Sequence, residues 1–300
     1  MKLLVACLLS GLTYGQGGGG VPFRDWDAKP VGPKPKVACS ELRALTNFEY
    51  SVISAVSMPS SQAAPEHCRV SVFVAPELHI EVNLPTTWNS RLYMFGNGGF
   101  AGESFEAPNR VAIRANGLHN GFTTASTDTG HSGSAEPGAT FATNPQKLID
   151  FGFRSLHLTA VAAKQLIAAH YGMAPSKSYF DGCSFGGRQA LLLAQRFPED
   201  FDAILAGAPA LDQIGIMLSR AWWMQGLAAA PIPTAKLALL NDRVYQQCDA
   251  KDGLKDGLIE DPRKCGFKPS VDLPHCTNGD KEDCFTDTQI AALEIGRAHV

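Results

Sequence analysis

Ser184 lies in Gly182-Cys183-Ser184-Phe185-Gly186, a Gly-x-Ser-x-Gly pattern with apolar residues on either side. A serine hydroxyl becomes a useful nucleophile when the backbone lifts it clear and a neighbouring base takes its proton. A sharp strand-to-helix turn provides the first condition, and small flanking residues let the chain pass close by. The N–H of Phe185 would then point where a tetrahedral oxyanion forms, helped by the N-terminus of the following helix. A second donor has to come from elsewhere. Gly96-Asn97-Gly98-Gly99-Phe100 offers Gly98 and Gly99, and a plain glycine-rich turn is the competing reading for each. With 29 glycines in the chain, the five-residue pattern alone is weak evidence, so its surroundings decide.

Those surroundings read as alternating strands and helices. Val70–Ala75, Ile80–Leu84, Arg91–Phe95 and Phe122–Thr127 are strand-like, and the glycine cluster follows the third of them directly. Phe153, Leu156, Ala160, Ala163 and Ile167 share one helical face, with Gly172 as a natural stop. Ser178–Asp181, Phe185–Arg196 and Ala203–Ala206 then read as strand, helix and strand. That order makes a parallel βαβ unit and an α/β fold with a largely parallel sheet, and it puts Ser184 at a strand-to-helix junction. After Pro209 the texture changes: Ala221–Ala230 is helical and Trp-rich, and loops rich in Asp, Gly and Pro follow Cys248. Residues from about Leu211 onward therefore read as the start of an inserted second domain, with Trp222 and Trp223 expected to pack in its core.

Cys248-Asp249-Ala250-Lys251-Asp252-Gly253-Leu254-Lys255-Asp256-Gly257-Leu258 concentrates hard oxygen ligands among glycines. Calcium suits such a set, although the spacing is not that of an EF-hand, and two solvated Asp-Gly turns fit equally well.

Gly182 through Gln189, followed by Phe197-Pro198-Glu199-Asp200-Phe201-Asp202, resembles the tannase and feruloyl esterase family over most of the chain, from about Cys39 to Ala292. The resemblance implies a secreted α/β-hydrolase core with an inserted lid domain. It implies an acyl-enzyme on Ser184 and esters of aromatic acids as substrates: feruloyl, galloyl or terephthalate. In that family the cysteine before the serine pairs with one beside the catalytic histidine, and Cys183 matches the first of these. The lid of the family holds a structural calcium ion. Carried over, its ligands are Asp249, Asp252 and Asp256 with the carbonyls of Leu254 and Leu258. The implied disulfides are Cys248–Cys265, Cys276–Cys284 and Cys39–Cys68, leaving Cys183 without its partner. Two rival readings are a non-catalytic calcium-stabilised binding module on the same fold and an acyltransferase using the same serine.

The chain has 300 residues, 45% hydrophobic and 18% charged, with a formal net charge of -3. It is long enough for a large core, and no basic run suggests nucleic acid or an anionic membrane. Lys2, the apolar run Leu3 to Leu12 and the small residue Gly15 are laid out as a secretory signal peptide over residues 1–15, implying a secreted or periplasmic protein. No later run approaches the ~20 apolar residues a membrane span needs. Seven cysteines remain after Cys7 leaves with the signal, an odd number in an oxidising compartment.

A triad of this class runs Ser, Asp or Glu, then His along the chain. Only His275 and His299 follow Ser184. His275 precedes a cysteine of an implied lid disulfide, and His299 lies in Ile295-Gly296-Arg297-Ala298-His299-Val300, which departs from the family's pattern and reads as a translated sequencing adapter. The triad Asp and His are therefore expected outside these residues, with 295–300 a non-native tail. Asp202 and Asp212 are the nearest acids, and neither can be assigned. Asp128 and His131 are expected to line the neighbouring loop, His131 as a satisfied loop residue.

Overall fold

A computed structural model describes residues 32–297, with side chains to residue 295. The signal-like segment 1–15 and residues 298–300, including His299, lie outside the described residues. The chain divides into two compact units, one ending at Leu211 and the other beginning at Asp212.

The first unit is built on a seven-stranded sheet: β1 (Ser51–Met58), β2 (His67–Val74), β3 (Leu78–Pro85), β4 (Arg91–Phe95), β5 (Thr123–Thr127), β6 (Lys177–Cys183) and β7 (Ala203–Gly207). The spatial order is β1-β2-β3-β5-β4-β6-β7. The first three ladders are antiparallel, and β5-β4-β6-β7 are joined by parallel ladders. Parallel neighbours need crossover helices. They are α1 (Pro108–His119) between β4 and β5, α2 (Pro145–Ile149) with α3 (Ser155–Tyr171) between β5 and β6, and α4 (Phe185–Arg196) between β6 and β7.

Alternation explains the core. Val70, Val72 and Val74 of β2 point one way and are buried, as are Ile80, Val82 and Leu84 of β3. On the covering helix α3, Leu156, Ala160, Ala163 and Ile167 recur at helical spacing and pack into the same cluster. Gly172, at φ 72°, terminates α3 in the left-handed conformation that glycine adopts without strain.

The strand order places the site. From β4 the chain moves outward to β5, and from β6 it moves the opposite way to β7. The loops leaving the carboxyl ends of the adjacent strands β4 and β6 therefore diverge and open a crevice, the place where α/β sheets bind ligands. Gly96–Phe100 leaves one side of it and Ser184 the other.

The second unit contains α5 (Gln213–Ala229), α6 (Thr234–Cys248), α7 (Pro269–Asp272) and α8 (Asp287–Arg297). Its own cluster gathers Cys248, Phe267, Leu273, Phe285 and Ile290. Unlike the packing expected from its Trp-rich stretch, α5 contributes no buried residue, and Trp222 is 56% exposed. Three disulfides join Cys39 to Cys68, Cys248 to Cys265 and Cys276 to Cys284, and Cys183 is an exposed free thiol.

Candidate active site

β6 ends at Cys183 and α4 begins at Phe185, so Ser184 alone makes the turn between them. Its backbone sits at φ 60°, ψ −117°, a conformation costly for any residue with a Cβ and one that persists only where the surroundings enforce it. The enforcement is visible. Ser184 N–H donates to the Gly207 carbonyl at 3.0 Å, and its own carbonyl accepts from Arg188 N–H and Ala210 N–H, each at 3.1 Å. The flanking glycines are required by contact: a Cβ on Gly182 would lie 2.2 Å from the Gly186 carbonyl oxygen, and one on Gly187 would lie 2.3 Å from that of Gly207. The serine is exposed, and among the described residues no side chain hydrogen-bonds its hydroxyl.

Phe185 N–H stands first in α4, and the side chain anchors it. The ring is buried and stacks on Phe151 at 4.4 Å, with the Arg188 guanidinium 5.4 Å from its centroid. The stack continues: Phe151 touches Phe141 at 4.9 Å, and Phe141 lies 3.9 Å from His131. A π-helical turn, Asp150–Arg154, carries Phe151.

The glycine loop meets the elbow directly. A Cβ on Gly96 would fall 2.8 Å from Gly186 Cα, and Gly96 N–H donates to Asp181 at 2.9 Å. Asn97 and Gln189 exchange two hydrogen bonds, at 2.9 and 3.1 Å. The two sequence candidates for the second donor differ. Gly98 N–H already donates to Glu103 Oε1 at 2.7 Å, whereas no described group accepts from Gly99, which takes φ 52° with nothing within 4 Å of an added Cβ. Glu103 was not found from sequence, because no periodicity or motif marks a loop carboxylate that folds back five residues.

His131 is buried against this loop, its Nε2 3.0 Å from the Phe100 carbonyl. Burial holds its pKa below the ordinary histidine range, so at neutral pH the uncharged ring can donate to that carbonyl. Asp128 accepts from the His79 amide and ring and from Gly130 N–H, which makes it a loop anchor. The two unassigned acids have structural partners. Asp202 binds Ser178 N–H and Lys177 at the start of β6, the end of that strand opposite Ser184. Asp212 caps α5 through Gly215 N–H. His275, in the second unit, is held by Ser270 and Asp287.

In the acidic loop, Asp249 is buried and accepts from Gly257 N–H at 2.9 Å; Asp252 accepts from Leu254 N–H, and Asp256 from Leu258 N–H. Gly253 and Gly257 adopt left-handed conformations, φ 100° and 80°. The donor chemistry and the glycine turns suit a hard cation, and Asp249 is a buried carboxylate with no ion pair among the described residues. However, among the described residues no three acidic, His or Cys side chains converge on one point.

A strained serine between a parallel strand and its crossover helix, at a crevice shared with a glycine loop, defines an α/β-hydrolase-type fold. The tannase and feruloyl esterase family model matches residues 63–295, and the chain belongs to that family. It is 36% identical over 276 residues to an uncharacterised esterase of Xanthomonas campestris pv. campestris, covering 85% of this chain and 46% of that protein. It is 32% identical to the mono(2-hydroxyethyl) terephthalate hydrolase of Piscinibacter sakaiensis, covering 82% of this chain and 47% of that protein. The crystal structure of feruloyl esterase B from Aspergillus oryzae superposes with a TM-score of 0.72 at 29% identity, over 85% of this chain and 54% of that one. The chain thus spans about half the length of the relatives it matches.

Proposed function

We propose that this chain carries the nucleophile half of a secreted serine esterase that cleaves esters of aromatic carboxylic acids. The observation that carries the reading is Ser184 held at φ 60°, ψ −117° between β6 and α4, where Gly186 of the elbow meets Gly96 and Asn97 of the glycine loop. Ser184 Oγ adds to the ester carbonyl carbon while its proton passes to a base. Phe185 N–H and Gly99 N–H stabilise the oxyanion. Collapse expels the alcohol, which takes up that proton, and leaves an acyl-enzyme. Water then attacks, and the free acid departs. The triad acid and base are assigned to sequence beyond these 300 residues, consistent with the half-length match to the relatives, and Cys183 is assigned a disulfide partner beside that base. Feruloyl, galloyl or terephthalate esters, free or attached to polysaccharide, are the proposed substrates. The relatives' own names, a mono(2-hydroxyethyl) terephthalate hydrolase and a feruloyl esterase B, support this choice. Three disulfides fit export to an oxidising compartment, and among the described residues no helix is long and apolar enough to cross a membrane.

The test is expression of the intact gene product and its Ser184→Ala variant, followed by a fluorophosphonate probe and methyl ferulate. The reading expects labelling and hydrolysis that both vanish in the variant. Labelling retained in Ser184→Ala sinks it, a protein that never labels would be a binding module, and ester exchange dominating over hydrolysis with added alcohol would mark an acyltransferase.

We also propose that calcium binds the acidic loop through Asp249, Asp252 and Asp256 with the Leu254 and Leu258 carbonyls, in a structural role. The cation would offset the buried Asp249 charge and draw the loop carboxylates together. Titration calorimetry should detect binding in the wild type and none in Asp249→Asn/Asp256→Asn. Equal heats in both would refute it.

A further inference from the structure

We infer that Glu103 is a positioning residue for ester cleavage: its carboxylate clamps the glycine loop by Gly98 and Asn97 and leaves Gly99 as the loop's oxyanion donor. The inference rests on the Ser184 reading above.

Each oxygen of Glu103 has its own task. Oε1 accepts Gly98 N–H at 2.7 Å, and Oε2 accepts Asn97 Nδ2 at 2.8 Å. The charge is balanced by Arg110, whose guanidinium is 2% exposed and approaches Oε2 at 3.8 Å. Arg110 is itself fixed, donating to the Gly96 carbonyl at 3.4 Å and the Thr127 carbonyl at 3.2 Å, and lying 5.0 Å from the Phe95 ring centroid. From the opposite side Gln189, on the helix that follows the nucleophile, holds both the amide and the side chain of Asn97. Residues 96, 97 and 98 are therefore each tied to a fixed polar group. Gly99 is the first residue of the loop whose amide is not engaged among the described residues.

An amide bound to a carboxylate is a poor oxyanion donor. To serve, Gly98 would have to break a charge-assisted bond, stronger than a neutral one, and leave Glu103 short of a donor beside the developing negative charge. Gly99 serves without rearrangement, and donors that need no reorganisation are the effective ones. Without Glu103 the Gly98 N–H loses its acceptor. The bond from Ala101 N–H to the Gly98 carbonyl at 2.8 Å holds the other side of that residue but not its amide, and the adjoining Gly99 loses its fixed direction.

The test uses the intact enzyme, with active sites titrated by the fluorophosphonate probe. Glu103→Ala should lower kcat about 10²-fold, the scale of a misplaced catalytic group, with KM changed little. The loss should be the same for methyl ferulate and p-nitrophenyl acetate, because the oxyanion is common to both. Glu103→Gln, which restores one of the two acceptor oxygens, should recover part of it. A lowered Tm with unchanged kcat per titrated site would overturn the inference, as would losses that differ between the two esters. If the wild type labels and both variants match it, Glu103 alone is misassigned. If the wild type does not label, the Ser184 reading fails and takes this inference with it.

Discussion

Gln189, one turn into the helix that follows Ser184, faces Asn97 of the glycine loop in both directions: Asn97 N–H donates to Gln189 Oε1 at 2.9 Å, and Gln189 Nε2 donates to Asn97 Oδ1 at 3.1 Å. Both residues are buried, at 0% and 3% exposure. The pair fixes the distance between the two loops to which the oxyanion donors are assigned in the proposed reaction. Gln189→Leu keeps the volume and leaves the Asn97 amide and its Oδ1 buried without these partners. At about 1–3 kcal/mol for each unsatisfied group, the variant should be about 2–6 kcal/mol less stable in urea denaturation. A loss below ~1 kcal/mol would show that water or a shift of the loop replaces the pair.

Much of this architecture was legible in the residues. Arg91–Phe95 and Phe185–Arg196 were read with the bounds they have, because an uninterrupted apolar strand and an amphipathic helix follow local rules. β1 was missed: a register shift between Val52 and Ser54 breaks its alternation, and its burial pattern follows no period of two. α1 was missed because its buried set is Arg110, Gly117 and Leu118, which no apolar stripe announces. Ser184 was singled out through a motif, which is local. Glu103 and Gln189 act through tertiary contacts, and a sequence carries no sign of those until the fold is known.

A glycine of the elbow and one of the π-helical turn Asp150–Arg154 differ in what they forbid. A Cβ on Gly187 would sit 2.3 Å from the backbone oxygen of Gly207, which a neighbouring strand holds in place. Gly152 has nothing within 4 Å of an added Cβ. Gly187→Ala should abolish soluble folded protein or fluorophosphonate labelling, while Gly152→Ala should change stability by no more than ~1 kcal/mol. Comparable behaviour of the two variants in expression and thermal melts would refute the contact argument.

Cys39 and Cys68 close a loop with a sequence separation of 29 that contains β1 and ends in β2. In the chain-entropy model a loop of this size restrains the unfolded chain by about 3–4 kcal/mol. Cys39→Ser/Cys68→Ser should lower unfolding free energy by that order under oxidising conditions. Under reduction, wild type and variant should converge. A difference that persists after complete reduction would assign the effect to packing of the two sulfurs instead.

His131 makes stability fall in acid. Burial is the first cause of its lowered pKa, and the Phe100 carbonyl opposes it in part. Unfolded, the ring titrates near ~6.5. Below that pH the unfolded chain binds the proton that the folded one resists, so stability is complete above ~6.5 and declines as pH falls toward the folded value. His67 and His170, also lowered by burial, act in the same direction. His79 acts oppositely, since the hydrogen bond with Asp128 raises its pKa and its contribution fades as pH rises. Melting at about pH 7.5 and about pH 5 should show a smaller acid decrement in His131→Gln than in wild type. Equal decrements would remove His131 from the account.

The strain at Ser184 can be measured against the glycine that would relieve it. At φ 60°, ψ −117° a Cβ is disfavoured by about 1–3 kcal/mol, and the hydrogen bonds to Gly207, Arg188 and Ala210 hold the residue there. Ser184→Ala keeps the Cβ and so keeps the strain; it should melt with the wild type while losing the proposed nucleophile. Ser184→Gly removes both. Glycine also gives the unfolded chain more freedom, which costs about 0.5–1 kcal/mol and offsets part of the relief. The expected result is a Ser184→Gly protein about 1 kcal/mol more stable than Ser184→Ala, with neither labelled by the fluorophosphonate probe. That ordering is unusual, since alanine ordinarily outperforms glycine in stability. If Ser184→Ala proved the more stable of the two, the elbow would not be strained, and the serine would sit there for some reason other than its forced exposure to substrate.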